Sequence, residues 1–133
     1  MGDPAVADAE RELERARAAL HDAEVLFEGD GTEAGVLNRL YYASFHGAQA
    51  VLYIRGENPS SHGHVRQQFG QRVVLDGDAT REGGRLLGTL YDHRQAADYG
   101  GEVTVTDLGS LVRDVEAFLE HMEDLVESAE PEK

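Results

Sequence analysis

Residues 36–52 read VLNRLYYASFHGAQAVL. Val36, Leu37, Leu40, Tyr41, Phe45, Ala48, Val51 and Leu52 return at steps of three and four, the period of a helix. Thr32 stands ahead of the run as a candidate cap, with Gly35 where a capping box would place Glu or Gln, and Gly56 closes it. The polar face of this helix is reduced to a narrow strip. A helix that is apolar almost all round belongs at the centre of a bundle or in a subunit interface.

Working outward toward the N-terminus, Val6, Ala9, Leu13, Ala16, Leu20, Ala23 and Phe27 predict one long amphipathic helix. Its outer face is Glu and Arg, and it ends in Gly29-Asp30-Gly31. On the other side GENPSSH is a turn, and Ser60 or Ser61 is placed to cap a shorter helix through Phe69, Val73 and Leu75. That helix ends at Asp76-Gly77-Asp78. A fourth helix is expected from about Ala79 to Asp98, weakened by Gly83, Gly84 and Gly88 and stopped by Gly100-Gly101. Thr106 then caps a fifth with Asp107 in its first turn, where Leu108, Leu111, Val115, Phe118, Met122 and Leu125 keep a heptad-like beat. Only EVTVT (102–106) hints at strand, and it has nothing to pair with. The expected class is therefore all-α, an antiparallel bundle of four to five helices with short connections. It forms a single domain over 1–133, with its core over about 5–127 and an acidic tail at 128–133.

The chain of 133 residues is long enough to bury its own core. It has no cysteine, which removes disulfides, thiolate metal sites and cysteine nucleophiles and fits a reducing cytoplasm. No stretch has the apolar length of a membrane span, and the N-terminus opens with acids instead of a basic, then apolar, leader. Asp and Glu number 26 against 12 Lys and Arg, giving a net charge of −14, and the single lysine is Lys133. These acids are spread along the chain instead of forming one block for a basic partner. The composition reads as halophilic, that of a salt-accumulating cytoplasm where screening acts over a few ångströms. Net charge therefore does not exclude RNA as a ligand.

Two features carry candidate chemistry. Arg94, in YDHRQAADYG (91–100), is flanked at helical steps by Leu86, Leu87, Leu90 and Ala97. A guanidinium on an apolar stripe requires an anion, a partner surface or a polar cleft. Asp98 is one turn on and Tyr99 is beside it, and a desolvated Arg–Asp pair needs such an extra hydrogen bond. Second, Arg39, Tyr42 and His46 share one strip of the central helix, so that Arg39, Tyr42 and Arg94 are candidates to converge on one cleft. A plainer reading makes the tyrosines core residues with hydroxyls at the rim. His62 and His64 in SSHGHV, with His46 and His93, lack a specific metal spacing and read as cap or surface residues, so no metal or cofactor is expected.

NRLYYASFHGAQAVL, SHGHVRQQF and HRQAADYG, in that order, resemble the HEPN domain (higher eukaryotes and prokaryotes nucleotide-binding), in its small stand-alone branch with an arginine–x–tyrosine–tyrosine–alanine signature. The resemblance runs from about Ala9 to Val126. It implies a five-helix bundle that forms a homodimer and pairs with a minimal nucleotidyltransferase encoded nearby, in a toxin–antitoxin-like module. It also implies that many members are metal-independent ribonucleases using an arginine and a histidine four to six residues apart. Arg94 falls where that arginine is expected, but Tyr99, Gly100 and Gly101 stand where the histidine would be. An ionised aspartate repels phosphate and a tyrosine is a poor base at neutral pH, whereas an arginine alone binds phosphate bidentately.

Three functions follow as expectations. The first is a non-catalytic module that binds its nucleotidyltransferase partner, and a nucleotide or RNA phosphate, through Arg94, Asp98, Tyr99, Arg39, Tyr42 and His62. The second is a ribonuclease with a variant site, in which Arg94 works with Asp98 and Tyr99 or with His62 or His93. The third is a dimeric bundle whose Arg94–Asp98–Tyr99 cluster only fixes the interface. By analogy with the family, Tyr99 is also a candidate acceptor of a nucleotide from the partner.

Overall fold

The computed structural model describes residues 4–59, 61–74, 81–98 and 107–129, with backbone alone at 62, 63, 72, 74, 97, 98 and 129. Five α-helices make up these residues, with no strand among them: α1 (Pro4–Glu28), α2 (Glu33–Ile54), α3 (His62–Phe69), α4 (Arg81–Asp98) and α5 (Leu108–Ala129). The EVTVT stretch, Asp76–Asp78, Thr106 and the residues of the acidic tail from 130 onward lie outside the described residues.

The central helix is α2. It touches all four other helices, most extensively α1. Val36, Leu37, Leu40, Tyr41, Ala48, Val51 and Leu52 are buried, so its apolar periphery is explained by neighbours on every side. Thr32 starts the helix by accepting a hydrogen bond from the Gly35 N–H at 3.0 Å. Ser61 caps α3, accepting from His64 N–H at 3.1 Å, and Ser60 lies outside the described residues. The third helix then widens into a π-helical turn over Gly70–Val74, which carries Val73 into the core.

Two expectations need correction. The fifth helix is capped by Asp107: its Oδ1 accepts from Ser110 N–H at 2.9 Å, and the helix begins at Leu108. A carboxylate one position later than Thr106 satisfies the first-turn N–H directly. The buried seam of α5 also runs through Val112, Val115, Phe118, Leu119, Met122 and Val126, while Leu108, Leu111 and Leu125 are only half-buried. The 3.6-residue period rotates the stripe away from a strict heptad. On α1 the same drift leaves Phe27 41% exposed.

Gly47 allows α5 to approach closely, since a Cβ there would come within 3.2 Å of Leu119 and 3.4 Å of Met122. The α1–α2 turn is tight: Asp30 takes a left-handed φ of 62°, and a Cβ on Gly31 would meet the Leu26 carbonyl at 2.8 Å.

Between α1 and α5, Arg17 pairs with Glu123 at 3.0 Å on the surface. The same helices also bring two carboxyls together. A shared hydrogen bond with Glu116 raises the pKa of Glu24 above its ordinary 4.5, with burial and the charge of Glu116 adding to the rise. A raised folded pKa contributes stability that is present below the ordinary value and lost as pH climbs through the folded one. At neutral pH the pair therefore repels. Glu116→Gln is expected to raise urea stability at pH 7 by less than about 1 kcal/mol, with little gain at pH 4.

Candidate functional site

Arg94 lies on the face of α4 that meets α2, and its surroundings there are aromatic. Its Nη2 donates to the Tyr42 hydroxyl at 3.1 Å. Its guanidinium carbon is 5.2 Å from the Tyr41 ring centroid and 5.1 Å from that of Tyr42. Arg39 is also 5.1 Å from the Tyr42 centroid, while its Nε and Nη2 donate to Asn38 Oδ1. A half-buried arginine on an apolar stripe is thus accommodated by the negative faces of two tyrosine rings.

The arrangement continues onto α3. Arg66 is 4.5 Å from the Tyr91 ring, whose hydroxyl accepts from Gln95 at 2.6 Å. Tyr41 lies 5.9 Å from Tyr91 and 5.3 Å from Tyr42, centroid to centroid. Three arginines from three helices rest on three contiguous tyrosines. Burial pushes the Tyr41 hydroxyl up to about 12, against the opposing charge of Arg94.

At the α1 end of the strip, Tyr42 and His46 lie with centroids 6.0 Å apart and planes 28° from parallel. His46 Nδ1 is 2.7 Å from Glu12 Oε2, and Arg15 reaches Glu12 Oε1 at 3.3 Å. Glu12 is 4% exposed. The sequence reading placed the glutamates of α1 outside, so Glu12 corrects it. Glu12 stands three residues after Ala9 and four before Ala16, among small residues that face α2, and that spacing was the available signal. A buried carboxylate needs partners, and His46 and Arg15 provide them.

The strip opens into a cleft of about 360 Å³ between α1 and α2, lined by Arg15, Ala18, Ala19, Asp22, Arg39, Tyr42 and His46. Arg94 does not line it. Arg39 and Tyr42 therefore belong to the cleft, and Arg94 meets them from the α4 side at Tyr42. Tyr99 and the side chains of Asp98 and His62 lie outside the described residues, as does any contact they make with Arg94. His93, half-buried, is adjacent to Arg94 but about 100° round the helix. Among the described residues no three His, Asp or Glu side chains are grouped to hold a metal ion, and no helix is long and apolar enough to cross a membrane.

The profile of the HEPN domain matches residues 9–130, nearly the whole bundle. The chain belongs to the HEPN family. A UPF0332 protein of Thermotoga maritima is 33% identical over 115 residues, 85% of this chain and 86% of its own. A relative from Methanocaldococcus jannaschii, named "Putative toxin MJ0605", is 32% identical over 111 residues, 83% of this chain and 82% of its own. A second protein of that organism, "Putative toxin MJ0142", is 26% identical over 96 residues, 72% of this chain and 65% of its own. In this HEPN chain the central YYA segment is thus both the hub of the core and the platform on which Arg39 and Arg94 rest.

Proposed function

We propose that this HEPN protein acts in a toxin–antitoxin-like module, as the homodimeric partner of a minimal nucleotidyltransferase, with Arg94 facing a phosphate of a nucleotide or RNA. The observation that carries the reading is the seat of Arg94: a guanidinium fixed by two ring faces and one hydroxyl keeps its planar fork in a set orientation. Preorganisation lowers the entropy lost on binding a phosphate bidentately. The names of the relatives from Methanocaldococcus support a toxin-like module.

The test joins two measurements. Co-expression with the adjacent nucleotidyltransferase gene is expected to yield a complex, and Arg94→Ala is expected to weaken it by about tenfold or more, the scale of one charge-assisted contact. Labelled tRNA and mRNA are then incubated with EDTA, comparing wild type with Arg94→Ala at matched dimer content. Cleavage that disappears with Arg94 would replace the module reading by a metal-independent ribonuclease with a variant site. A monomeric protein that ignores the partner would leave neither.

A further inference from the structure

We propose that the α1/α2 cleft binds a phosphate monoester group, with Arg15 and Arg39 as its cations and Nε2 of His46 as a donor. The proposal does not use Arg94 and stands apart from the partner reading above.

Four observations carry it. In a chain of net charge −14, the described wall of one cleft holds two arginines and a histidine against a single carboxylate, Asp22. With Glu12 behind Arg15 and His46, two arginines and two carboxylates balance here, in contrast to the acid excess of the whole chain. The volume of about 360 Å³ admits a phosphate with part of its ester. The histidine is positioned: its Nδ1 is 2.7 Å from a carboxylate whose side chain is 6% exposed, and its ring lies along Tyr42. Finally, Glu12 and Arg15 are joined at 3.3 Å, so one buried carboxylate orients two of the three groups that face the cleft.

The tautomer follows from the pairing. A carboxylate accepts, so Nδ1 carries the proton and donates to Glu12. Nε2 is then the nitrogen left for a ligand. In the neutral ring it offers a lone pair, which repels a phosphate oxygen; in the imidazolium it donates. An anion at Nε2 is therefore bound by the imidazolium. The charged and titratable groups around the ring are Glu12, Arg15 and Asp22 from α1 and Arg39 and Tyr42 from α2. Arg94 of α4 reaches only the Tyr42 hydroxyl, and α5 gives the described wall no residue. Glu12 is a positioning residue in this scheme, and His46, Arg15 and Arg39 touch the ligand.

Isothermal titration calorimetry at pH 7 in low-chloride buffer tests it, using inorganic phosphate, adenosine 5′-monophosphate and a 5′-phosphorylated diribonucleotide. The expected result is binding. His46→Asn keeps a donor for Glu12 but has no second nitrogen, and it is expected to weaken binding by about tenfold or more. Arg39→Gln is expected to weaken binding by a similar factor, and Arg17→Gln, which alters a surface arginine of α1 outside the cleft, to leave it within about twofold. Equal affinity for all three probes assigns the site to the phosphate group alone, and tighter binding of one ester names its source. Failure of folded wild type to bind any probe overturns the proposal. So does binding that His46→Asn leaves unchanged, or that is lost with Arg17 but not with Arg39.

Discussion

Between pH 10 and pH 12 the protein is expected to lose up to about 3 kcal/mol of stability, and Tyr41→Phe is expected to abolish most of that loss. Tyr41 is 2% exposed, and burial pushes its hydroxyl up to about 12. The unfolded chain releases the same proton near pH 10. Because the folded pKa is raised, the contribution is complete below about pH 10 and fades as pH rises through the folded value. Arg94 works against the shift, since its charge favours the phenolate, so its net size already includes the nearby cation. Urea denaturation at intervals from pH 8 to pH 12 checks the prediction. The deciding quantity is the slope of stability against pH, which separates titration from any constant cost of losing the hydroxyl. Parallel curves for wild type and Tyr41→Phe would mean that the phenolate is solvated in the folded state, and that the Tyr41 hydroxyl is not sealed from water.

The same residue shows why the fold was readable from sequence. Tyr41 belongs to an apolar run with no polar face, and such a run has few solutions other than the middle of a bundle. Local signals of this kind gave helices in the expected order, with Thr32 and Ser61 as caps. What failed was fine register. Thr106 and Asp107 are equally plausible caps on paper, and only the path of the backbone decides which oxygen reaches Ser110 N–H. The expected beat of α5 shares Val115, Phe118 and Met122 with the buried seam but omits Val112, Leu119 and Val126, because heptad and 3.6-residue periods diverge over six turns.

The site was legible only in part, for a different reason. Helical spacing aligned Arg39, Tyr42 and His46, since all three lie on one helix. It also suggested that Arg94 would meet them, and the structure shows the contact at Tyr42. Yet the spacing points to an anion, a partner or a polar cleft for Arg94, and nothing in it points to the faces of Tyr41 and Tyr42. Ring faces accept cations without any polar residue to mark them in a sequence. Glu12 was missed because its role depends on His46, 34 residues away on another helix.

That long-range pair leads to the second large effect. His46→Leu is expected to cost about 2–4 kcal/mol, because it leaves the Glu12 carboxylate buried with one partner, Arg15 at 3.3 Å. Glu12→Leu is expected to cost less, about 1–2 kcal/mol, since the imidazole it strands is partly solvated, with its side chain 21% exposed. The double variant, Glu12→Leu with His46→Leu, is expected to be more stable than His46→Leu alone. Two apolar side chains can pack across α1 and α2 where a lone carboxylate cannot, so the coupling should be of the order of 2 kcal/mol. Urea melts of the four proteins at pH 7 complete the cycle. Additive costs would mean that the carboxylate finds water once His46 is gone, and that Glu12 does not depend on the ring. A coupled result has a functional consequence too: if apolar packing serves the bundle as well as the pair does, stability alone does not account for a carboxylate and a histidine at the wall of an arginine-lined cleft.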